Sequence, residues 1–172
     1  HEINSSDNGD GDARVYNTQY VVNDVGTLVS SYRKIHLFDI TIPAQNINLK
    51  ESNSIRPGTE KVVVNDTPIG NIGLATCYDV RFPEHAISLL SQNATVLTFP
   101  SAFTVPTGRA HWHTLLKARA IESQAFVIAA AQCGQHNEKR QSYGHSLVVS
   151  PWGDVLYDGG ATRRTASTIN RT

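Results

Sequence analysis

The chain has 172 residues, of which 40% are apolar and 17% charged, and its formal net charge at pH 7 is zero. This composition is typical of one globular domain, and the balanced charge argues against a nucleic-acid-binding surface, which needs a basic excess. No run of about 18 apolar residues is present, so we expect no membrane-spanning segment. The two cysteines form no disulfide framework and indicate a reducing compartment.

The pattern of apolar residues predicts strands that alternate with two helices. The predicted strands span residues 14–23, 27–33, 61–65, 69–76, 95–99, 125–131, 143–150 and 155–157. The predicted helices span residues 83–92, burying Ala86, Ile87, Leu89 and Leu90, and residues 110–123, with Trp112, Leu115, Leu116 and Ala120 on one stripe. This order favours an α/β fold in which two sheets carry helices on their outer faces.

The remaining segments are interpreted as termini, turns or loops. Residues 1–12 read as a flexible polar lead, residues 39–58 as one long connection, and residues 132–142 as a polar loop. A connection as long as the second of these is usually functional or disordered. Residues 159–172 show no apolar periodicity and are predicted to form a tail. The folded domain is therefore expected over residues 13–158.

The most informative stretch, residues 69–84, reads as a buried strand, a sharp turn with Cys77 at its tip, and the start of a helix. Pro83 suits the first position of that helix, where its missing N–H costs nothing. Glu84 then lies in the first turn, where the helix dipole favours an anion. A thiol near this helix start would have its thiolate stabilised, as an activated nucleophile requires. The spacing alone fits a small buried cysteine at a strand end equally well.

Three motifs in chain order resemble those of the nitrilase, or carbon–nitrogen hydrolase, superfamily. Residues 32–39 (Tyr-Arg-Lys-Ile-His-Leu-Phe-Asp) resemble its lysine motif, and residues 77–84 (Cys-Tyr-Asp-Val-Arg-Phe-Pro-Glu) resemble its cysteine motif. Between them, Glu51 precedes Pro57-Gly58, as the second glutamate of the family precedes its own Pro-Gly pair. The stretches most similar to the Nit branch, which occurs alone or fused to Fhit in animals, are residues 100–104, 119–122, 129–134 and 138–145.

The resemblance implies a four-layer αββα sandwich, usually dimeric or larger, of which this chain would hold the middle and later part. It implies a cytoplasmic or mitochondrial amidase that acts on a small carboxylate-bearing amide, with deaminated glutathione as the first candidate. ω-Amidase or carbamoylase activity is the alternative within the superfamily, and a truncated, non-catalytic interaction form is the alternative outside it. The branch also implies a fusion to, or an interaction with, a Fhit-type domain.

The resemblance also assigns roles to individual residues. Cys77 would attack the amide carbonyl and form a thioester with release of ammonia or an amine. Lys34 would hold the oxyanion together with a backbone N–H near Tyr78, and Glu51 would position the base or the substrate. Taken alone, Lys34 and Glu51 are typical of solvated charges at a strand end and in a loop.

The general-base glutamate of the family lies on an earlier strand and loop that the present sequence does not contain. No glutamate before Lys34 stands in such a motif, and Glu2 belongs to the polar lead. Without the first strands, the sandwich would expose sheet edges and apolar faces. The chain alone is therefore expected to be inactive or poorly soluble.

The candidate substrate-binding residues near the cysteine are Tyr78, Arg81, Phe103 and Thr104. Arg81 would pair with a substrate carboxylate, and an ion pair with Asp79 or Glu84 fits its position as well. Phe103 and Thr104 lie on a loop that the resemblance places over the substrate. Ordinary loop packing is the alternative for both.

A His-Trp-His sequence at residues 111–113 suggests a metal site together with His145 and His36. Side chains two positions apart on a helix point to different faces, so a shared ligand set is not expected. We therefore predict no metal and no cofactor. The family usually carries an acid at the position of His113.

Overall fold

The computed structural model describes residues 12–138 and 140–162, which divide between two compact units with a boundary after Val62. The predicted polar lead lies outside the described residues except for Asp12, and the predicted tail lies outside them except for residues 159–162. Among the described residues, no helix combines the length and the apolarity that crossing a lipid bilayer requires.

The first unit consists of short strands that pair two by two. These strands are β1 (Val15–Tyr16), β2 (Thr18–Val22), β3 (Leu28–Arg33), β4 (Asp39–Ile42), β5 (Ile47–Lys50) and β6 (Ile55–Arg56). β1 pairs in parallel with β6, whereas β2 with β3 and β4 with β5 form antiparallel hairpins. The buried apolar side chains of this unit are Tyr16, Tyr32 and Ile55, and the guanidinium of Arg33 lies 3.9 Å from the centre of the Tyr16 ring.

The first hairpin confirms the sequence prediction, and the second contradicts it. Gly26 has a φ of 82° in the turn between β2 and β3, as predicted. Residues 39–58 are not one long connection, because they contain β4, β5 and β6. Ile42 and Leu49 are 37% and 50% exposed. These strands therefore lack a buried face, which would produce an alternation of apolar and polar residues in the sequence. Their reversal depends on Asn46, which adopts a left-handed φ of 52°.

The second unit is organised around a six-stranded sheet with two helices. Its strands are β7 (Val62–Thr67), β8 (Gly70–Leu74), β9 (Val96–Thr98), β10 (Phe126–Ala129), β11 (Cys133–Asn137), β12 (Arg140–Tyr143), β13 (Leu147–Val149) and β14 (Val155–Asp158). The sheet has the order β14-β13-β10-β9-β8-β7, and β11 and β12 form a separate hairpin. β8, β9 and β10 are mutually parallel, whereas β13 is antiparallel to both β10 and β14.

The two helices, α1 (Pro83–Leu90) and α2 (Val105–Ser123), pack against each other and against this sheet. α1 buries Ala86 and Leu89 as predicted, but Ile87 is 51% exposed and Leu90 is 38% exposed. An eight-residue helix has only about two turns, so it buries one narrow stripe of positions three apart. The predicted stripe of α2 is confirmed for Trp112, Leu116 and Ala120, which are at most 1% exposed, and Leu115 is partly buried against the same core.

α2 begins at Val105, five positions earlier than the predicted start at residue 110. Pro106 lies in its first turn, where proline is tolerated because the N–H groups there have no partner within the helix. Gly108 lies inside the helix because a Cβ at this position would come within 2.3 Å of the Tyr143 ring. The proline and glycine of this segment, which are typical of loops, are therefore explained by the helix start and by the close contact with Tyr143.

The predicted polar loop at residues 132–142 is wrong, because it contains the β11–β12 hairpin. The side chains of this hairpin are largely exposed, so backbone hydrogen bonds hold it without an apolar signal in the sequence. The strand predicted over residues 143–150 begins only at Leu147. Gly144 and His145 have φ values of 84° and 59°, which interrupt the extended chain before it.

The two faces of the sheet differ in exposure. Along β10, Val127 and Ala129 are buried, whereas Phe126 and Ile128 are 44% and 36% exposed. Since α2 packs on β10, the buried pair marks the helix-covered face and the exposed pair marks the opposite face. In the turn after β13, Trp152 is 84% exposed.

Candidate active site

Cys77 lies beyond the carboxyl end of β8, at the first position of a 3-10 helix that spans Cys77–Arg81. Its φ is 49°, a left-handed value that is uncommon outside glycine, and its backbone N–H donates to the Pro100 carbonyl at 3.0 Å. Its side chain is half-buried. Residues held in this conformation cluster at functional sites, because the surrounding structure has to maintain the strain. The sharp turn with a cysteine at its tip is thus present as predicted.

Two buried side chains hold this turn, a role that sequence reasoning assigned to neither of them. The Asp79 carboxylate accepts the backbone N–H of Thr76 at 2.7 Å, and Asp79 is 1% exposed. The Arg119 guanidinium on α2 donates from Nε to the Val80 carbonyl at 2.9 Å and from Nη1 to Glu122 at 2.6 Å. The spacing Thr76-x-x-Asp79 is that of a capping box, so the sequence carried a signal for the first of these residues.

The turn places Arg81 among aromatic rings and a histidine. The guanidinium carbon lies 5.6 Å from the centre of the Phe103 ring and 6.0 Å from that of Tyr78. Nη2 lies 3.2 Å from Nδ1 of His111. Three of the four predicted substrate-binding residues, Tyr78, Arg81 and Phe103, therefore come together. A cation with one imidazole neighbour and two ring faces is suited to pairing with an incoming anion.

Thr104, the fourth predicted residue, is placed differently. It is the residue before α2, and its hydroxyl oxygen lies 2.8 Å from that of Thr107 in the first turn. It also forms a β-bridge with Ser142 of β12. The hydroxyl is thus engaged at the start of the helix, whereas Phe103 next to it is buried and contacts Trp112.

The residues around Cys77 share one edge of the sheet. Cys77 follows β8, Ser101 and Phe103 follow β9, and Ala131 follows β10, and these three strands are parallel. Ser101 and Ala131 form a bridge that extends this edge. In open α/β sheets, ligands bind outside the carboxyl ends of parallel strands. The position of the cysteine therefore fits a ligand site.

Lys34 and Glu51 form a direct pair within the first unit. Nζ of Lys34 donates to Oε2 of Glu51 at 2.5 Å, and the same oxygen accepts the backbone N–H of Phe38 at 2.6 Å. The Lys34 side chain is only 3% exposed and that of Glu51 is 19% exposed. Neither residue is the solvated charge that its sequence position alone allows. A buried ammonium is held in this way only when a partner satisfies it.

The segment that carries Glu51 is fixed by a second carboxylate. The Ser52 hydroxyl donates to Asp39 at 2.6 Å and its backbone N–H donates at 3.0 Å. These two hydrogen bonds hold the pKa of the Asp39 carboxyl below its ordinary value of 3.8. β4 is thereby tied to the short turn Glu51–Asn53, which begins with the predicted catalytic glutamate.

The Pro57-Gly58 pair that follows Glu51 has a steric explanation. The Gly58 N–H donates to the carbonyl of Lys34 at 2.8 Å, and a Cβ on Gly58 would come within 2.1 Å of the Arg33 carbonyl oxygen. Only glycine permits this approach to the end of β3. The chain that carries Glu51 is thus anchored at the strand end that carries Lys34.

The two histidines of the His-Trp-His sequence diverge, as their spacing on a helix predicts. His111 contacts Arg81, whereas Nε2 of His113 lies 3.1 Å from Oδ2 of Asp158 on β14. Sequence reasoning did not include Asp158, because nothing in its spacing connects it to His113. The strand pairing of β13 with β14 is what brings it there.

Comparison with known proteins gives consistent matches. The sequence matches the carbon–nitrogen hydrolase family over residues 3–171. It is 54% identical over 143 residues to the deaminated glutathione amidase of Bos taurus, covering 83% of this chain and 43% of that protein. The chain spans about half the length, or less, of the curated relatives it matches.

Solved structures support the same family assignment. The chain matches the Caenorhabditis elegans NitFhit protein with a TM-score of 0.81 and 52% identity, covering 87% of this chain and 36% of that chain. It also matches a mutant of the amidase from Nesterenkonia sp. with a TM-score of 0.70 and 27% identity, covering 84% and 51% of the two chains. That structure shows covalent addition of the acetamide moiety of fluoroacetamide at the active site cysteine of that enzyme. These matches confirm the predicted α/β fold of the nitrilase type, of which this chain holds part.

Proposed function

Since the chain belongs to the carbon–nitrogen hydrolase family, we propose that its protein is a thiol-dependent amidase with Cys77 as the nucleophile. The observation that carries the proposal is the half-buried Cys77 on a left-handed turn at the carboxyl edge of parallel strands. The relatives named deaminated glutathione amidase support the activity, and the covalently modified cysteine of the Nesterenkonia amidase supports the type of nucleophile.

The proposed reaction has two halves. In the first, the Cys77 thiolate forms an Sγ–C bond with the amide carbonyl, and the C–N bond breaks as the amine leaves with a proton. In the second, water attacks the thioester, which gives a carboxylate and regenerates the thiol. The resemblance implies that a further glutamate moves these protons, and no residue of this chain is assigned that role.

Lys34 is proposed to stabilise the oxyanion that forms in each half. A preorganised donor of this kind contributes roughly 2.7–4 kcal/mol to the transition state. Its pairing with Glu51 supports this role, because a lysine fixed in one place costs no reorganisation during the reaction. Glu51 is proposed as the residue that positions Lys34 and the base.

The proposed substrate is a small amide that carries a carboxylate, with deaminated glutathione as the first candidate. Arg81 supports this choice, because its guanidinium lies 5.6 Å from the Phe103 ring centre and 6.0 Å from that of Tyr78, with His111 as its hydrogen-bond neighbour. A bidentate pair between guanidinium and carboxylate would orient the substrate. Tyr78 and Phe103 would contact its apolar part, and Thr104 would contribute through the backbone that carries Phe103.

The decisive experiment uses the full-length protein that contains this chain and follows its reaction with deaminated glutathione by mass spectrometry. We expect release of the amine product and, after rapid quenching, an acyl adduct on the peptide that contains Cys77. Cys77→Ala should abolish both, whereas the matched variant Cys133→Ala should retain both. Lys34→Met should lower kcat by roughly 100- to 1,000-fold, as the loss of one oxyanion donor does.

Two outcomes would redirect the proposal. Faster turnover of an α-keto acid amide or of an N-carbamoyl amino acid would indicate an ω-amidase or a carbamoylase. No amine release, with iodoacetamide labelling Cys133 as fast as Cys77, would indicate a non-catalytic interaction form. Partnership with a Fhit-type domain is supported by the NitFhit relatives, and a homodimer and a cytoplasmic or mitochondrial location stay predictions.

A further inference from the structure

Apart from the proposed catalytic residues, the second unit brings together two histidines and one carboxylate. Nδ1 of His145 lies 2.8 Å and 3.0 Å from the two oxygens of Asp158, and Nε2 of His113 lies 3.1 Å from the second of these oxygens. The His113 and His145 ring centres are 5.1 Å apart. One ligand atom from each residue lies within 4.8 Å of the other two. We call these residues the HHD cluster.

The cluster is held in place by its surroundings. His145 has a left-handed φ of 59°, its N–H donates to the Gly160 carbonyl at 2.7 Å, and its own carbonyl accepts the Trp112 indole N–H at 2.7 Å. Its ring stacks on Tyr143 at a centroid distance of 4.4 Å. A strained, non-glycine backbone that is fixed on several sides points to function rather than to chance packing.

The cluster is also open to solutes. The side chains of His113, His145 and Asp158 are 34%, 21% and 33% exposed. Asp158 accepts the Gly160 N–H at 2.8 Å, which fixes one carboxylate oxygen while the other faces both imidazoles. An ion from solution therefore has access to all three groups.

From this geometry, and in contrast to the sequence prediction of no metal, we propose that the HHD cluster binds one zinc ion, with His113 Nε2, His145 Nδ1 and the Asp158 carboxylate as protein ligands. Two imidazoles and one carboxylate form a known three-ligand set for zinc, and water completes the tetrahedron. Two atoms bonded to one zinc at about 2.1 Å are at most about 4.2 Å apart. The three ligand atoms lie within 4.8 Å of one another, so the proposed site requires side-chain rotations that bring all of them inside the limit of about 4.2 Å and replace the present hydrogen bonds by coordination bonds.

The proposed ion has a structural consequence. His113 belongs to α2, whereas Asp158 ends β14, the edge strand of the sheet. A metal bonded to both would connect the helix layer to the sheet edge. Because zinc binds this arrangement only in the folded state, it should raise the melting temperature in proportion to its affinity.

The test uses the purified chain after treatment with a chelator, titrated with zinc chloride by calorimetry and by thermal unfolding. We expect one zinc per chain and a rise in melting temperature. His113→Gln and Asp158→Asn should each weaken affinity at least about tenfold, since even residues outside the ligand set cost that much. His145→Asn removes the third ligand, and asparagine is used because it tolerates a left-handed φ.

His136→Gln is the matched control, because this exposed histidine contacts Ser142 and lies outside the HHD cluster. Its zinc affinity should equal that of the wild type. Cobalt provides a measurement on the unmutated chain: its spectrum should show d–d bands of a four-coordinate ion without thiolate charge-transfer absorption. Zinc binding that persists in Asp158→Asn, or a thiolate band that assigns the ion to a cysteine, would overturn the proposal, as would the absence of binding.

Discussion

At the scale of single residues, the buried and partly buried charges of the first unit depend on specific partners. Lys34 is 3% exposed and is satisfied by Glu51, whose Oε2 also accepts the Phe38 N–H. Removing one partner of a buried pair leaves the other charge uncompensated, at a cost of about 3–5 kcal/mol. Glu51 in turn depends on its neighbour Ser52, which donates twice to Asp39.

Asp39 makes the stability of this segment depend on pH. Because hydrogen bonds from Ser52 lower the pKa of Asp39 in the folded state, the unfolded chain binds a proton there more readily. The stability from this group should therefore be complete above the ordinary value of 3.8 and be lost as pH falls through the lower folded value. This contribution is measured as the difference in unfolding free energy between the wild type and Asp39→Asn, obtained by denaturant unfolding at a series of acid pH values.

We expect the two unfolding curves to differ at neutral pH and to converge in acid. Asp24→Asn, in the exposed turn between β2 and β3, controls for the loss of one negative charge. A difference between wild type and Asp39→Asn that stayed constant down to the lowest pH would exclude the carboxylate of Asp39 as its source.

At the scale of elements, the position of Cys77 is set by α2 as much as by β8. The Arg119 guanidinium reaches from α2 to the carbonyl of Val80 and so connects the helix to the 3-10 turn. The turn also contains Asp79, which closes it locally. The proposed nucleophile therefore depends on contacts made by a helix about 40 residues further along the chain.

Replacing Arg119 should impair both the stability of the chain and the proposed reaction. Arg119→Met keeps the apolar stem but leaves the buried Val80 carbonyl without its donor, which should cost about 1–3 kcal/mol of unfolding free energy. We expect kcat for amide hydrolysis to fall at temperatures well below the melting point. Denaturant unfolding of the chain and amine release by the full-length protein measure the two effects.

Arg109→Met is the matched control, because Arg109 is exposed on the same helix. It should leave both quantities close to wild type. If Arg119→Met loses the expected unfolding free energy but keeps the wild-type kcat, then Arg119 supports the fold and does not position the Cys77 turn.

The sequence was most informative where residue type and geometry are tightly coupled. The strand, turn and helix around Cys77 were predictable because Pro83 and the apolar run before the cysteine each have one favoured place. The hairpins β4–β5 and β11–β12 were not, because their exposed strands are held by backbone bonds. The contact between Asp158 and His113 depends on the register of the strands, which cannot be predicted from a single sequence.

At the scale of the molecule, α2 packs on one face of the sheet of the second unit, and exposed side chains of β10 mark the opposite face. Phe126 and Ile128 are exposed there, in contrast to the buried Val127 and Ala129. In the αββα architecture of this family, a second sheet covers such a face. Apolar area of this kind on a sheet is otherwise a site of association.

We therefore expect the 172-residue chain on its own to associate as its concentration rises. The double variant Phe126→Ser with Ile128→Ser should reduce both association and binding of a hydrophobic dye, as measured by light scattering and by fluorescence. Ile69→Ser with Ile87→Ser replaces two exposed apolar side chains outside β10 and serves as the control. A monodisperse wild-type chain at high concentration would contradict this prediction.

The two tryptophans give this protein an internal optical reporter. Trp152 is 84% exposed, so an aqueous quencher such as iodide reaches it, whereas Trp112 is 1% exposed and is shielded. The emission that survives quenching thus originates from Trp112, whose indole donates to the His145 carbonyl. Any movement of the segment around His145 alters that indole environment. The wavelength of the shielded emission therefore reports on this segment without an attached label.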